Sequence, residues 1–347
     1  MTITLQSKSG EYKFETAEDE PILFAGLKAG LKLPYDCATG TCGSCRARVM
    51  DGNIGKSWAD APGMARYKAD RGDILMCQTR ANGDCVLRVP SDTPDGQSKD
   101  TLPNMHHGTV DVVKKLTSDV IHYEIAMREA LSFQAGQFMV VEAPNLTGGR
   151  AYSMVNYDAS TDRISFVVKR NPDGGFSDWI FENDITGSEL KLFGPLGRAT
   201  FHPEEDSDLI CIVGGSGIAG IMSILDHATR SGHLLKRKAK LFFGVRTLAD
   251  AFYMAELSSM IKEAKGNLEV TLVLSDEAPS ASVHPDFQDI TLAGGFVTDV
   301  AAVSVDGDNS NVIGYLAGPA PMVDAATRVL IVNAGLSVSQ IRYDKFS

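Results

Sequence analysis

Long apolar runs, clustered basic residues and metal-spaced histidines are all missing from this sequence, and each absence narrows what the chain can be. No stretch of it approaches the ~18 uninterrupted apolar residues of a membrane helix, so a membrane is not an expected partner. The first ten residues, MTITLQSKSG, lack the basic and then apolar blocks of a secretion signal, which makes the cytoplasm the expected location. Lys and Arg number 33 against 44 Asp and Glu, a net charge of -11, whereas a nucleic-acid partner needs clustered cations to meet phosphate. Five of the histidines, His122, His202, His227, His233 and His284, are scattered without ligand spacing. The adjacent pair His106 and His107 lies in a polar stretch and is expected to be solvated. What remains, 44% hydrophobic and 22% charged residues in a chain of 347, is ordinary globular material sufficient for two or three domains.

Charge and cysteine are both unevenly placed. Residues 1–90 hold 12 Lys and Arg against 11 Asp and Glu, so the acidity belongs to the rest of the chain. Four of the six cysteines are Cys37, Cys42, Cys45 and Cys77, a C-x4-C-x2-C spacing followed after 31 intervening residues by the fourth. That is the plant-type pattern for a 2Fe-2S cluster. Ala38, Gly40, Gly43 and Ser44 are small, so the backbone can close around inorganic sulfide and aim N–H groups at it. Structural zinc usually takes two C-x2-C pairs, and only Cys42 and Cys45 form one; a thioredoxin-like motif would need a helix where Gly40 to Ser44 stand. Cys85 and Cys211, in apolar surroundings, read as small buried hydrophobes.

Around the cysteines, TITLQS and YKFET read as an opening hairpin, PILFAGLKAG as a short helix, and CRARVMDG and CVLRVP as strands. Over residues 1–90 the chain resembles the ferredoxin family, whose β-grasp domain holds its cluster in the loop after the helix. Residues 91–107, rich in Pro, Gly, Ser and charge, read as a linker. Short β patterns separated by turn residues then fill 108–203 and suggest a small antiparallel β-barrel. GPLG, Gly194 to Gly197, reads as a tight turn closing that region.

The stretch RAYSMVN, Arg150 to Asn156, matches the R-x-Y-S motif of the ferredoxin-NADP reductase family of flavoproteins, a resemblance that covers 108–347. It implies that Arg150 pairs with the phosphates of FAD, Tyr152 packs on the isoalloxazine and Ser153 hydrogen-bonds near flavin N5, with Asn156 beside them. A guanidinium fork suits phosphate oxygens, an aromatic face a flat ring, and a hydroxyl a ring nitrogen. Gly174, Gly175 and Ser177 precede an amphipathic helical pattern, where the family cradles the flavin pyrophosphate. Phe346 stands where relatives carry a terminal aromatic over the flavin; a tail aromatic packed on the surface is the plainer alternative.

Residues 204–347 alternate strand and helix patterns, as a parallel-sheet nucleotide-binding domain would. The buried strand DLICIVGG runs into Gly214, Gly215, Ser216 and Gly217 and then a helix, which departs from G-x-G-x-x-G but resembles the GGTGIAP motif of the reductases. Asp276 and Glu277 follow the strand TLVLS; carboxylates there repel an adenosine 2'-phosphate and accept from ribose hydroxyls, which favours NADH, with Arg246 the one opposing cation. The family's C-G-P is here Ala317, Gly318 and Pro319, so the usual cysteine is absent; Met322 opens the next helix.

The expected fold is therefore multidomain, α+β and α/β: a β-grasp ferredoxin (1–90), a linker (91–107), an antiparallel β-barrel flavin domain (108–203) and a parallel-sheet nucleotide domain (204–347). This order resembles the reductase components of bacterial multicomponent oxygenases. The resemblance implies that NADH delivers electrons in pairs to FAD and that the 2Fe-2S cluster passes them singly to an oxygenase component, directly or through a separate ferredoxin. WADAPGM, Trp58 to Met64, looks most like versions serving di-iron monooxygenases; reductases of Rieske ring-hydroxylating dioxygenases share the domain order. A non-catalytic redox sensor is the alternative of another class, suggested by Ala317 and Gly220.

Overall fold

A computed structural model describes residues 1–92, 102–172, 174–305 and 309–346, with the Phe346 side chain left out. The first module is a five-stranded sheet built from β1 (Thr2–Gln6), β2 (Glu11–Glu15), β3 (Arg46–Ser57), β4 (Asp73–Leu75) and β5 (Thr79–Arg88), in the order β2-β1-β5-β3-β4. β1 and β5 run parallel and the other neighbours antiparallel. Helix α1 (Ile22–Lys28) buries every residue but its terminal lysine, because ILFAGL offers apolar side chains on all faces. It lies across the sheet and delivers the chain to the cysteine loop, residues 35–45.

The second module contains β6 (Asn104–Lys115), β7 (Val120–Leu131), β8 (Phe138–Glu142), β9 (Arg150–Ser153), β10 (Thr161–Lys169), α2 (Gly175–Glu182) and β11 (Glu189–Leu196). The strands form one antiparallel sheet in the order β10-β7-β6-β11-β8-β9. Its two edges meet where Val155 N–H, just past β9, donates to Ser165 O on β10 at 2.9 Å, closing the sheet into a small barrel. Two expectations are corrected here. His106 and His107 are not on a solvated linker: they lie in β6, half-buried and paired with Leu192 and Lys191, because ladder pairing with β11 extends the strand through residues of polar composition. Residues 93–101 of the expected linker lie outside the described residues. GPLG is not a tight turn either, since Gly194 to Leu196 continue β11.

The third module is a parallel six-stranded sheet, β15-β14-β13-β12-β16-β17. It comprises β12 (Asp208–Gly214), α3 (Ile218–Arg230), β13 (Ala239–Val245), α4 (Met254–Glu263), β14 (Leu268–Leu274), β15 (Ile290–Gly294), α5 (Val297–Ala302), β16 (Val312–Pro319), α6 (Ala320–Val332) and β17 (Ile341–Phe346). The central strand LICIV is buried throughout, as a strand covered on both faces requires. IRYDKF is a strand beside β16 rather than a free tail.

The modules are joined by specific contacts. Phe24 of α1 stacks on Phe193 of β11, ring centroids 3.9 Å apart and planes within 6°. Phe138, Val140, Phe193 and Leu196 of the barrel share one apolar core with the first module. Gly197 N–H donates to the Tyr35 hydroxyl at 3.2 Å, and Arg198 to Leu33 O at 3.2 Å. On the other side Tyr315 OH donates to Thr200 O (3.1 Å), Gly136 N–H to the Ser223 hydroxyl (2.9 Å), and His122 Nδ1 meets Tyr253 OH (2.7 Å). Among the described residues no helix is long and apolar enough to cross a membrane.

Candidate functional site

One cleft of about 1050 Å³ lies where the three modules meet and draws its walls from all of them. The first module contributes Tyr35, Asp36, Cys37, Thr39, Thr41 and Trp58; the barrel Arg150, Tyr152, Ser153, Lys169 and Asn171; the third module Gly214 to Ser216, Arg246, Ser275, Phe296 and Pro319 to Met322.

The cysteine loop forms the upper wall. Its thiols stand as pairs: Cys45 Sγ lies 3.2 Å from Cys77 Sγ, and the Cys42 thiol hydrogen-bonds Cys37. No third His, Cys, Asp or Glu joins either pair at a common point among the described residues. A mononuclear ion would need such a point, whereas two irons bridged by sulfide take two thiolates each. Thr39 and Cys42 N–H both donate to Cys37 Sγ at 3.4 Å, and Ser44 N–H to Cys42 Sγ at 3.5 Å, the backbone dipoles that stabilise a thiolate cluster. The bond from Cys42 holds the Cys37 thiol well below its ordinary range and pushes Cys42 up. These residues fit a 2Fe-2S cluster. Cys37, Cys45 and Cys77 are buried and Cys42 is half-exposed. Cys37 faces the cleft; Cys42, Gly43 and Ser44 are not among its lining residues.

In the barrel, β9 presents Arg150, Tyr152 and Ser153 along the cleft because it is the edge strand beside β8. The Arg150 guanidinium is exposed and donates to Gly149 O (3.0 Å), and among the described residues no carboxylate pairs with it. Burial pushes the Tyr152 phenol up, keeping it neutral, and Phe166 and Phe176 hold the ring at centroid distances of 6.5 and 5.2 Å. Ser153 is buried, lines the cleft, and its hydroxyl meets no hydrogen-bond partner among the described residues, which leaves it to a ligand.

The third module offers two chain turns that end at helix N-termini. After β12, Gly215 adopts φ +54°, and Gly217 cannot carry a side chain because a Cβ would lie 2.4 Å from Ala317 O. α3 starts there without an acidic residue in its first turn, leaving N–H groups and the positive dipole end for an anion. Pro319, Ala320, Pro321 and Met322 at the start of α6 face the same space. Arg246 lines the cleft but is engaged, donating to Asp119 and Asp250 at 3.0 Å each. Asp344 of β17, on the cleft wall, is pushed up to about 7 by burial and by the Asp36 carboxylate.

The cleft thus gathers Cys37, Arg150, Tyr152, Ser153, Gly214, Gly215, Ser216, Arg246, Pro319 and Met322 from positions far apart in sequence. Other expected residues are off its lining. Asn156 is spent inside the barrel, its Oδ1 accepting from Ser165 N–H (2.8 Å) and its Nδ2 donating to Arg163 O (2.9 Å). Gly174 and Gly175 begin α2 and the Ser177 hydroxyl bonds Asn171 and Gly174, so it is Asn171 of this loop that reaches the cleft. Asp276 accepts from the Ser275 hydroxyl (2.7 Å) and Glu277 from Leu248 N–H (2.9 Å), leaving Ser275 as the lining residue. Gly217 and Gly318 shape the turns without facing the cleft. Phe346 is placed by backbone alone, opposite Pro319 on β16. The sequence reading missed Asp36, Thr39, Thr41, Arg198, Phe296 and Asp344 as lining residues. None carries a spacing signal; each arrives through contact between modules.

Comparison with known proteins gives a concordant division. Residues 3–82 match the 2Fe-2S iron-sulfur cluster binding domain, 107–201 the oxidoreductase FAD-binding domain and 211–328 the oxidoreductase NAD-binding domain. The chain is 31% identical over 339 residues, 96% of this chain and 97% of the relative, to the ferredoxin–NAD(+) reductase component of the alkene monooxygenase system of Xanthobacter autotrophicus (strain ATCC BAA-1158 / Py2). It is 34% identical to the ferredoxin–NAD(P)(+) reductase CarAd of Metapseudomonas resinovorans, over 94% of each chain. Among solved structures it resembles the ferredoxin reductase in carbazole 1,9a-dioxygenase, with a TM-score of 0.82, 29% identity, and coverage of 100% of this chain and 99% of that one.

Proposed function

The chain belongs to the ferredoxin-fused, NAD-dependent flavoprotein reductases of multicomponent oxygenase systems, and on that premise we propose that it supplies single electrons to an oxygenase component, a monooxygenase in the first instance. Bound FAD would supply the exchange of a hydride's two electrons for single ones, and a bound 2Fe-2S cluster would supply one-electron carriage. The rest is the work of this chain. Arg150 holds flavin phosphate, Tyr152 walls the ring, and the Ser153 hydroxyl bonds its N5 edge. The turn at Gly214 to Ser216 and the start of α6 would hold the dinucleotide, on the same cleft as Ser153. Of the four cysteines that would hold the cluster, Cys37 is the one that lines the same cleft. Domain limits of 1–90, 91–107, 108–203 and 204–347 accompany this reading, as does a cytoplasmic location, where reduced thiols and NADH coexist.

One observation carries the proposal: a cluster ligand, the R-x-Y-S strand and the glycine-rich turn share a single cleft. Purified protein under argon should show flavin and iron-sulfur absorption that bleach on addition of NADH, with two irons per chain. Cys42→Ser should lose iron and the cluster band while its flavin still bleaches. A colourless protein, or bands indifferent to NADH, would sink the proposal and favour a redox sensor.

A dioxygenase partner is the second reading, favoured by the likeness to the ferredoxin reductase in carbazole 1,9a-dioxygenase. It places a separate ferredoxin between this chain and the oxygenase. Reconstitution with each type of acceptor separates the two.

A further inference from the structure

We propose that Asp119, in the barrel, helps set the choice of nicotinamide cofactor from across the module boundary, by holding Arg246 of the third module away from an adenosine 2'-phosphate. The inference rests on the reading that the cleft takes a nicotinamide dinucleotide with its adenosine beside Ser275. Asp119, Lys169, Arg246, Asp250 and Ser275 all line that cleft. The last three come together because β13 and β14 are parallel neighbours, so the chain leaves their carboxyl ends side by side. Ser275 N–H donates to Val245 O at 3.0 Å and Asp276 N–H to Arg246 O at 2.8 Å, which fixes Arg246 next to the Ser275–Asp276 turn. A guanidinium there has the donor fork that a phosphate accepts.

Two carboxylates occupy that fork, and they have different origins. Asp250 is local: its Oδ1 accepts from Arg246 at 3.0 Å, while its Oδ2 accepts from Thr247 N–H and hydroxyl at 3.0 and 2.9 Å. Asp119 reaches in from the turn between β6 and β7 and accepts from the same Arg246 nitrogen at 3.0 Å. Its carboxylate is aimed by its own turn, since the Thr117 hydroxyl donates to Asp119 Oδ1 at 3.0 Å and Arg170 N–H to Asp119 O at 2.7 Å. Lys169 places a second cation 3.3 Å from the same carboxylate. Lys169 and Arg246 are thus matched by Asp119 and Asp250, and the Asp276 charge, which also acts on Arg246, tips this end of the cleft negative. Glu277, on Leu248 N–H, adds to the excess. A 2'-phosphate meets repulsion here and must draw Arg246 from two carboxylates, whereas free ribose hydroxyls carry no charge to repel. Without Asp119 the balance moves one charge toward positive, and the half-exposed Arg246 has a single carboxylate left to leave.

The test uses the holoprotein and follows, by calorimetry, the binding of AMP and of adenosine 2',5'-bisphosphate, which differ only in the 2'-phosphate. Values of kcat/KM for NADH and NADPH are measured beside it. The unmodified protein should favour AMP. Asp119→Asn, which removes the charge and keeps the shape, should improve the bisphosphate relative to AMP about tenfold and shift the NADPH to NADH ratio in the same sense. Asp119→Ser should reproduce the shift, so that the result does not hang on one variant's folding. Adding Arg246→Ala to Asp119→Asn should cancel the gain, because the released guanidinium is what meets the phosphate. An unchanged ratio in both Asp119 variants, even with a lowered melting temperature, reduces the ion pair to a joint between modules and overturns the proposal. A gain shared equally by AMP and the bisphosphate, or one that survives the loss of Arg246, overturns it as well. Failure of the unmodified protein to bind AMP and to bleach with NADH overturns the nucleotide reading instead.

Discussion

Replacing Phe24 by Ala tests whether the first module is held rigidly against the barrel or merely tethered to it. Phe24 and Phe193 are 3% and 2% exposed and stack face to face at 3.9 Å, so neither belongs to its own module's core alone. Truncating a buried Phe costs about 3–5 kcal/mol, and the stack itself accounts for about 0.5–1.5 of that. The polar joints, Gly197 to Tyr35 and Arg198 to Leu33, are single hydrogen bonds worth about 1 kcal/mol each. The apolar contact therefore dominates the joint, and Phe24→Ala should let the cysteine loop drift from the cleft. Stopped-flow spectroscopy should show flavin reduction by NADH near the normal rate and cluster bleaching slowed, because loss of positioning by ~1 Å can cost up to about a hundredfold. Phe193→Ala, made from the barrel side, should do the same. The doubly substituted protein should be less destabilised than the two losses added together, by about the stacking energy. Unchanged cluster bleaching in both single variants, with iron intact, would refute the rigid joint.

Two further outcomes follow from particular charges. Asp276→Ser should narrow the preference for NADH over NADPH about five- to tenfold, since it removes an exposed carboxylate beside Ser275 while Arg246 stays tied to Asp119 and Asp250; an unchanged ratio of kcat/KM values for the two nucleotides would count against this placement of the adenosine. Burial alone would raise Asp73, but bonds from Arg48, Lys68 N–H and Arg46 overcome it and hold the carboxyl at about 2, against 3.8 unfolded. The stability it contributes is therefore complete above about pH 4 and lost as pH falls toward 2; it amounts to about 1–2 kcal/mol, allowing for solvent around the half-exposed guanidiniums. Asp73→Asn should flatten that part of the acid-denaturation curve followed by circular dichroism, and an unaltered curve would show the bonds to be energetically idle.

The character of each module was legible in sequence because it depends on local chemistry. Four cysteines at the plant-type spacing, R-A-Y-S on an alternating strand and a buried strand running into Gly214 to Gly217 state their roles within a few residues of themselves. Where the local signal was compositional it misled. The polar look of the segment around His106 hid the start of β6, and the Gly and Pro of GPLG suggested a turn inside β11, since ladder pairing with distant strands overrides local propensity.

What the sequence by itself determined was the inventory: which ligands, which motif and which glycines, each specified by covalent spacing and backbone permissiveness. Only the tertiary structure decided that these parts open on one cleft, that Cys37 lines it while Cys42 does not, and that Arg246 is already neutralised. Those outcomes depend on contacts between residues more than a hundred positions apart, such as Tyr35 with Gly197 and Asp119 with Arg246, and no spacing along a chain encodes which surfaces will be complementary once folded.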